Sequence, residues 1–157
     1  MIAWLTGKLQ RKAADSVIIN VSGVGYQVAV PVSTLNAIAD RGEEVTLHIH
    51  TYVRGDSLTL FGFSTELEKD VFLLLLGVSG IGPKLALTVL SGLSVQDLVT
   101  AIRSSDDSRL RGIPGIGRKT AARMCLELKD KVLQLAPDEA PRSPLPPAVS
   151  SGDRDDA

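Results

Sequence analysis

Two lysines stand where their backbone surroundings would let them hold a phosphate. Lys84 and Lys119 each follow a Gly-Ile-Gly triplet by two residues, in the phrases Gly77-Val78-Ser79-Gly80-Ile81-Gly82-Pro83-Lys84-Leu85-Ala86 and Gly112-Ile113-Pro114-Gly115-Ile116-Gly117-Arg118-Lys119-Thr120-Ala121, 35 residues apart. Over the fourteen positions from Gly77 to Leu90 set against Gly112 to Cys125, six are identical: three glycines, the isoleucine, the lysine and the alanine. One supersecondary unit is used twice. Glycines at Gly80, Gly82, Gly115 and Gly117 permit backbone angles and approaches that a side chain would block. Backbone N–H groups can then point outward at the mouth of a new helix, where the dipole favours an anion. Ile81 and Ile116 would plug each loop into its own core. This is the pattern of a helix-hairpin-helix, a reader of nucleic-acid backbone. The bland reading, a tight turn between helices, accounts for one copy more easily than for two copies with lysine in register.

Two chemistries with similar motifs fit less well. A P-loop needs Gly, four residues, then Gly-Lys-Ser/Thr, and in Gly112 to Thr120 the intervening Arg118 breaks that spacing, with no strand feeding the turn. Some DNA-repair glycosylases place a catalytic lysine in a phrase like Pro114 to Ala121, which would make Lys119 a lyase nucleophile. Such enzymes also need a carboxylate on a folded segment downstream, and here the chain soon reaches Pro137.

The chain has 157 residues, 44% of them hydrophobic, and a net charge of −1. Its charge is unevenly placed. Residues 1–135 carry 15 Lys and Arg against 13 Asp and Glu, and residues 136–157 carry 2 against 5. From Arg109 to Lys131 seven basic residues face only Glu127 and Asp130, so the basic footprint coincides with the second repeat. For Lys129 and Lys131 a solvated helix face is an equal alternative. Cys125 is the only cysteine, which excludes disulfides within the chain and suits a reducing, cytoplasmic setting. Lys8 comes too early for a signal peptide, and the apolar run Val71 to Val78 is too short to span a membrane. No membrane, metal or cofactor is expected. His48 and His50 share one face of a strand but lack a third ligand, and read as exposed strand positions.

Elements that must carry the repeats can be read on either side. Residues 1–63 are expected to be all β: Val17, Ile19 and Val21 alternate, as do Tyr26, Val28 and Val30, and Val45, Leu47 and Ile49. Ser22-Gly23-Val24-Gly25 would link two strands, a short helix is expected near Thr34 to Ala39, and the last hairpin turns at Arg54-Gly55-Asp56-Ser57. About five short strands suggest a small closed barrel of the OB type. The Arg-Gly-Asp triplet invites an adhesion reading, which a chain with one cysteine and no secretion signal does not support. Residues 64–135 read as all helical, opening at Thr65-Glu66-Leu67-Glu68 in capping-box form. One helix runs from Pro83 to Gly92, another is capped by Ser94, and a short one lies near Ser108 to Leu110. The fold class is therefore α+β, a barrel followed by a tandem helix-hairpin-helix domain. Prolines, serines and acids make 136–157 a disordered tail.

This order of parts resembles a known family. Met1-Ile2-Ala3-Trp4-Leu5-Thr6-Gly7, Gly23-Val24-Gly25-Tyr26, Val53-Arg54 through Leu60-Phe61-Gly62-Phe63, and both glycine phrases are similar to RuvA, the Holliday-junction-binding subunits of the bacterial branch-migration complex. The resemblance covers about residues 1–135. It implies a homotetramer holding an open four-way junction on a concave face, with a hexameric AAA+ ATPase, RuvB, as motor and the resolvase RuvC as a further partner. It places DNA contacts at Gly80, Gly82, Lys84, Gly115, Gly117, Arg118, Lys119 and Arg123, and implies no catalytic residue. A generic DNA-binding scaffold is the plainer alternative.

The sequence departs from the family's pattern twice. The family's last barrel hairpin is an acidic pin, Arg-Glu-Asp, at the junction centre; here it is Arg54-Gly55-Asp56, with one carboxylate. Repulsion of phosphates, screened over about 8 to 10 Å at ordinary salt, should be weaker, so junction binding is expected to persist with poorer strand separation. The family also continues past its linker into a small domain that docks on the motor. The chain given ends at Ala157 within what reads as that linker, which puts motor coupling in doubt.

Overall fold

The computed structural model describes residues 1–135; the acidic Pro/Ser-rich tail expected over 136–157 lies outside the described residues. Alternating apolar positions build five strands, β1 (Trp4–Lys12), β2 (Ser16–Val21), β3 (Val24–Ala29), β4 (Glu44–Arg54) and β5 (Ser57–Phe63). They close in the order β1-β2-β3-β5-β4, with β4 returning to pair with β1. All neighbours are antiparallel except β3 and β5, which pair in parallel at Val28↔Leu60 and Ala29↔Phe61. That is the OB-type barrel expected from the strand pattern, and closure leaves no long edge unpaired. Leu9, Ile19, Val28, Leu47, Ile49 and Leu60 fill its interior. Between Leu9↔Ile19 and Arg11↔Ile18 the register of β1 gains one residue, Gln10, a bulge that adds the local twist a small barrel needs.

One turn is shorter than expected. Only Ser22 (φ 51°) and Gly23 (φ 93°) form the β2–β3 link, while Val24 and Gly25 already pair with Val21 and Asn20. Two positive φ values make this the tight hairpin turn that matches strand twist, and the Asn20 side chain accepts the Gly23 N–H at 2.8 Å. Between β3 and β4 lies α1 (Val32–Ala37).

Five helices follow: α2 (Glu66–Leu76), α3 (Pro83–Gly92), α4 (Val95–Arg103), α5 (Asp107–Arg111) and α6 (Arg118–Gln134). Their apolar stripes meet in one core around Phe72, Leu75, Leu98, Ile102, Leu110 and Met124. The barrel shares that core through Phe61 and Phe63 of β5, whose rings lie 5.2 and 4.8 Å from Phe72, within the range of favourable aromatic contact. This corrects the expectation for His48 and His50. Both are half-buried, because α2 packs against the outward face of β4, with His50 and Phe72 centroids 6.0 Å apart. Burial, aided by nearby Lys69, lowers the His50 pKa below its ordinary value. Among the described residues no single helix is long and apolar enough to cross a membrane; α3 and α4 pass that test only as a pair bent by 99°.

Candidate nucleic-acid interface

The repeated phrases fold into two loops with the same bonds. At the end of α2, the Gly77 N–H donates to Leu74 O and the Val78 N–H to Leu75 O, both at 3.1 Å; Gly80 turns the chain at φ 92°, and the Ile81 N–H donates to Val78 O at 3.1 Å. At the end of α5, the Gly112 N–H donates to Arg109 O at 3.3 Å, the Ile113 N–H to Leu110 O at 3.1 Å, Gly115 turns at φ 87°, and the Ile116 N–H donates to Ile113 O at 3.1 Å. Only glycine adopts such angles without strain. Gly82 and Gly117 are then N-caps of near-identical geometry, φ −93°, ψ 179° and φ −88°, ψ 179°. Ile81 and Ile116 are each 5% exposed, so both plug into the shared core as their position between glycines predicts.

The five helices after the barrel begin in two distinct ways. Thr65, Ser94 and Asp106 cap α2, α4 and α5 with their own side chains, accepting from the N–H groups of Glu68, Asp97 and Arg109. Glycine cannot do this, and α3 and α6 carry no side-chain cap. Among the described residues, the N–H groups of Ser79, Gly80, Gly82, Lys84 and Leu85 in one loop, and of Gly115, Gly117, Arg118, Lys119 and Thr120 in the other, have no intramolecular acceptor. They are the orphan donors of a helix start, left open toward solvent. Proline takes different places in the two loops: Pro114 in the second and Pro83 in the first have no N–H to offer, whereas Ser79 keeps a free N–H in the first and Arg118 adds both an N–H and a cation in the second.

Lys84, Arg118, Lys119 and Arg123 are all exposed. The ion pair found among the described residues is Arg109 with Asp97 at 3.3 Å, so none of the four candidate cations is neutralised there. Lys119 and Arg123 are four apart on α6, hence on one face. Arg109, within the basic footprint, is instead committed to α4. Asp106 beside it is held below the ordinary carboxylate pKa, chiefly by the Ser108 hydroxyl and then by the Arg109 N–H. The two loops touch: a Cβ built on Gly115 would lie 2.9 Å from Leu85 Cδ1. The two loops therefore pack against each other through Leu85 and Gly115.

The pin residues stand elsewhere. Arg54, Gly55 and Asp56 form the exposed tip between β4 and β5, a two-residue turn closed by the Arg54↔Ser57 pair, with Gly55 at φ 57°. No hydrogen bond or ion pair among the described residues joins this tip to either loop. The capping box expected at Thr65 is half formed. Thr65 caps Glu68 N–H at 3.1 Å, but the Glu68 carboxylate reaches away and accepts from the Thr34 hydroxyl at 2.9 Å. That contact had no local signal, its partners being 34 residues apart.

Comparisons with known proteins bear on the same two halves. The family described as RuvA N terminal domain matches residues 1–62, and the one described as SAM-like helix-hairpin-helix tandem matches residues 72–130. A relative in Geobacter sulfurreducens, named Holliday junction branch migration complex subunit RuvA, is 50% identical over 154 residues, covering 96% of this chain and 77% of the relative. One of the same name in Syntrophotalea carbinolica is 50% identical over 160 residues, covering 100% of this chain and 79% of the relative. Barrel, twin hairpins and identity at that level over nearly the whole chain agree: the chain belongs to the RuvA family.

Proposed function

We propose that this chain binds four-way junction DNA, without reading sequence, as the RuvA subunit of a branch-migration complex in recombination and repair. The observation that carries the reading is the pair of matching glycine-capped helix starts, open to an external acceptor and flanked by unpaired cations, in a chain of this family. A junction binder must accept any sequence, and backbone N–H groups with Lys and Arg hold phosphates and leave base edges unread. Gly80, Gly82 and Lys84 form one grip. Gly115, Gly117, Arg118 and Lys119 form the other, with Arg123 one turn further along the second helix.

In this role no residue does covalent chemistry, and ATP hydrolysis belongs to the RuvB partner. A tetramer of the chain, engagement of RuvB and RuvC, a place in the cytoplasm, and the division into a barrel at 1–63, a hairpin domain at 64–135 and a tail at 136–157 are parts of the same proposal. So is a pin of Arg54, Gly55 and Asp56 at the junction centre.

The test is Lys84→Ala with Lys119→Ala. Both side chains are exposed, so the melting temperature should stay within about 2 °C, as for surface substitutions generally. Junction affinity at moderate salt should fall by about tenfold or more, with Lys119→Ala the costlier single change because its loop holds one more cation, Arg118. Unchanged affinity in the double variant would remove the hairpins from the interface.

A further inference from the structure

A DNA-reading surface made of two hairpins grips any duplex arm; recognising a junction needs a second fixed point, and the pin is 24 residues before the first loop in sequence (Asp56 to Gly80). What fixes one against the other is the joint between barrel and helices. Two kinds of contact make it. One is apolar, the stacking of Phe61 and Phe63 on Phe72. The other is polar and centred on α1.

α1 has two opposed commitments. Leu35 enters the barrel core, while its neighbour Thr34, 0% exposed and the one fully buried polar side chain among the described residues, turns to the helices. The Thr34 hydroxyl donates to Glu68 Oε2 of α2 at 2.9 Å and accepts the Ser64 N–H at 3.2 Å. Two residues earlier, the Val32 N–H donates to Ser91 Oγ at 3.0 Å, and that hydroxyl donates in turn to Leu87 O at 2.8 Å. Ser91 lies near the end of α3, the helix whose first turn carries Lys84. Apolar contacts permit sliding, whereas the buried Thr34 hydroxyl has one geometry that satisfies it and is expensive to leave unpaired; the Val32–Ser91 bond, exposed to solvent, adds a second and weaker tie. The start of α2 and the end of α3 are therefore both tied to one short element rooted in the barrel.

We propose that Thr34 and Ser91 are positioning residues, which touch no DNA but hold the pin at a fixed distance from the phosphate-reading loops and thereby set the preference for four-way over linear DNA. This rests on the junction-binding function, and it names the part of the chain that confers specificity.

The test uses the full chain with Cys125→Ala and spin labels at Ser57→Cys, beside the pin, and Ala122→Cys, exposed on α6. Two readouts are taken: the width of the label-to-label distance distribution, and affinity for a four-way junction against a linear duplex of the same arms. Thr34→Val with Ser91→Ala removes three of these hydrogen bonds and should widen the distribution and lower junction preference by about fivefold or more, while duplex affinity stays within about twofold. Thr34→Ser alone should restore both. Should Thr34→Val fail to fold, Ser91→Ala alone carries the test with the same two readouts. An unchanged distance width overturns the proposal, as does a parallel loss of junction and duplex affinity. If the parent chain shows no junction preference, the functional reading fails by itself, and the distance width still decides whether α1 positions the pin.

Discussion

Gly55 sits at φ 57° with open space around the position a Cβ would take. Any cost of a side chain there is thus backbone strain and not collision. A left-handed conformation costs an ordinary residue roughly 1–2 kcal/mol, and Asn or Asp less. Restoring the glutamate that the resemblance implies for the pin should therefore lower the melting temperature by about 2–8 °C, with Gly55→Asp costing less than Gly55→Glu. Either change adds a carboxylate to the tip beside Asp56 and should weaken duplex binding at low salt. Equal melting temperatures for Gly55→Glu and the parent chain would show that the turn rearranges freely. At this scale much was legible: the positive-φ glycines Gly80 and Gly115 and the plugs Ile81 and Ile116 were implied by residue type alone. Glu68 was not, because its spacing from Thr65 satisfied a local rule while its actual partner is set by the packing of α1.

At the scale of elements, strands and helix starts were legible wherever a local period or a cap determined them. α3 begins at Pro83 and ends at Gly92 as its sequence dictates, and Ser94 caps α4. Gly25 reads as loop in the sequence yet pairs with Asn20 in the sheet, because a glycine in a strand carries no outward sign of its pairing. His48 and His50 read as exposed yet are half-buried, because alternation tells which face a residue shares, not what covers that face. The cover has a consequence for pH. The His50 pKa is lowered by burial between β4 and α2, with Lys69 adding to the effect. The folded state therefore binds this proton less readily than the unfolded chain, whose histidine titrates near 6.5. That contribution to stability is present above about pH 6.5 and is lost as pH falls below it toward the lowered folded value. His50→Phe keeps an aromatic ring against Phe72 and removes the titration. Its melting temperature should fall less than the parent's between pH 7.5 and 5.5; equal falls would show that His50 does not drive the loss.

For the whole molecule, two open helix starts with their exposed basic side chains and the tip between β4 and β5 come from three separate stretches of sequence brought together by one fold. The hairpin pair and the barrel were each legible because their signals lie within about ten residues. Their mutual orientation was not, since it depends on Phe72 meeting β5 and on Thr34 meeting Glu68, contacts that no local period encodes. The central claim is that this arrangement recognises the branched form of DNA through its phosphates. It is tested most directly by a salt-titrated competition between a synthetic four-way junction and a linear duplex of the same arm sequence. A preference for the junction of about tenfold or more should persist as salt rises, with log affinity falling by about 0.9 per neutralised phosphate for roughly two or three phosphates in each subunit. Equal affinity for the two DNAs across the salt range would contradict the claim.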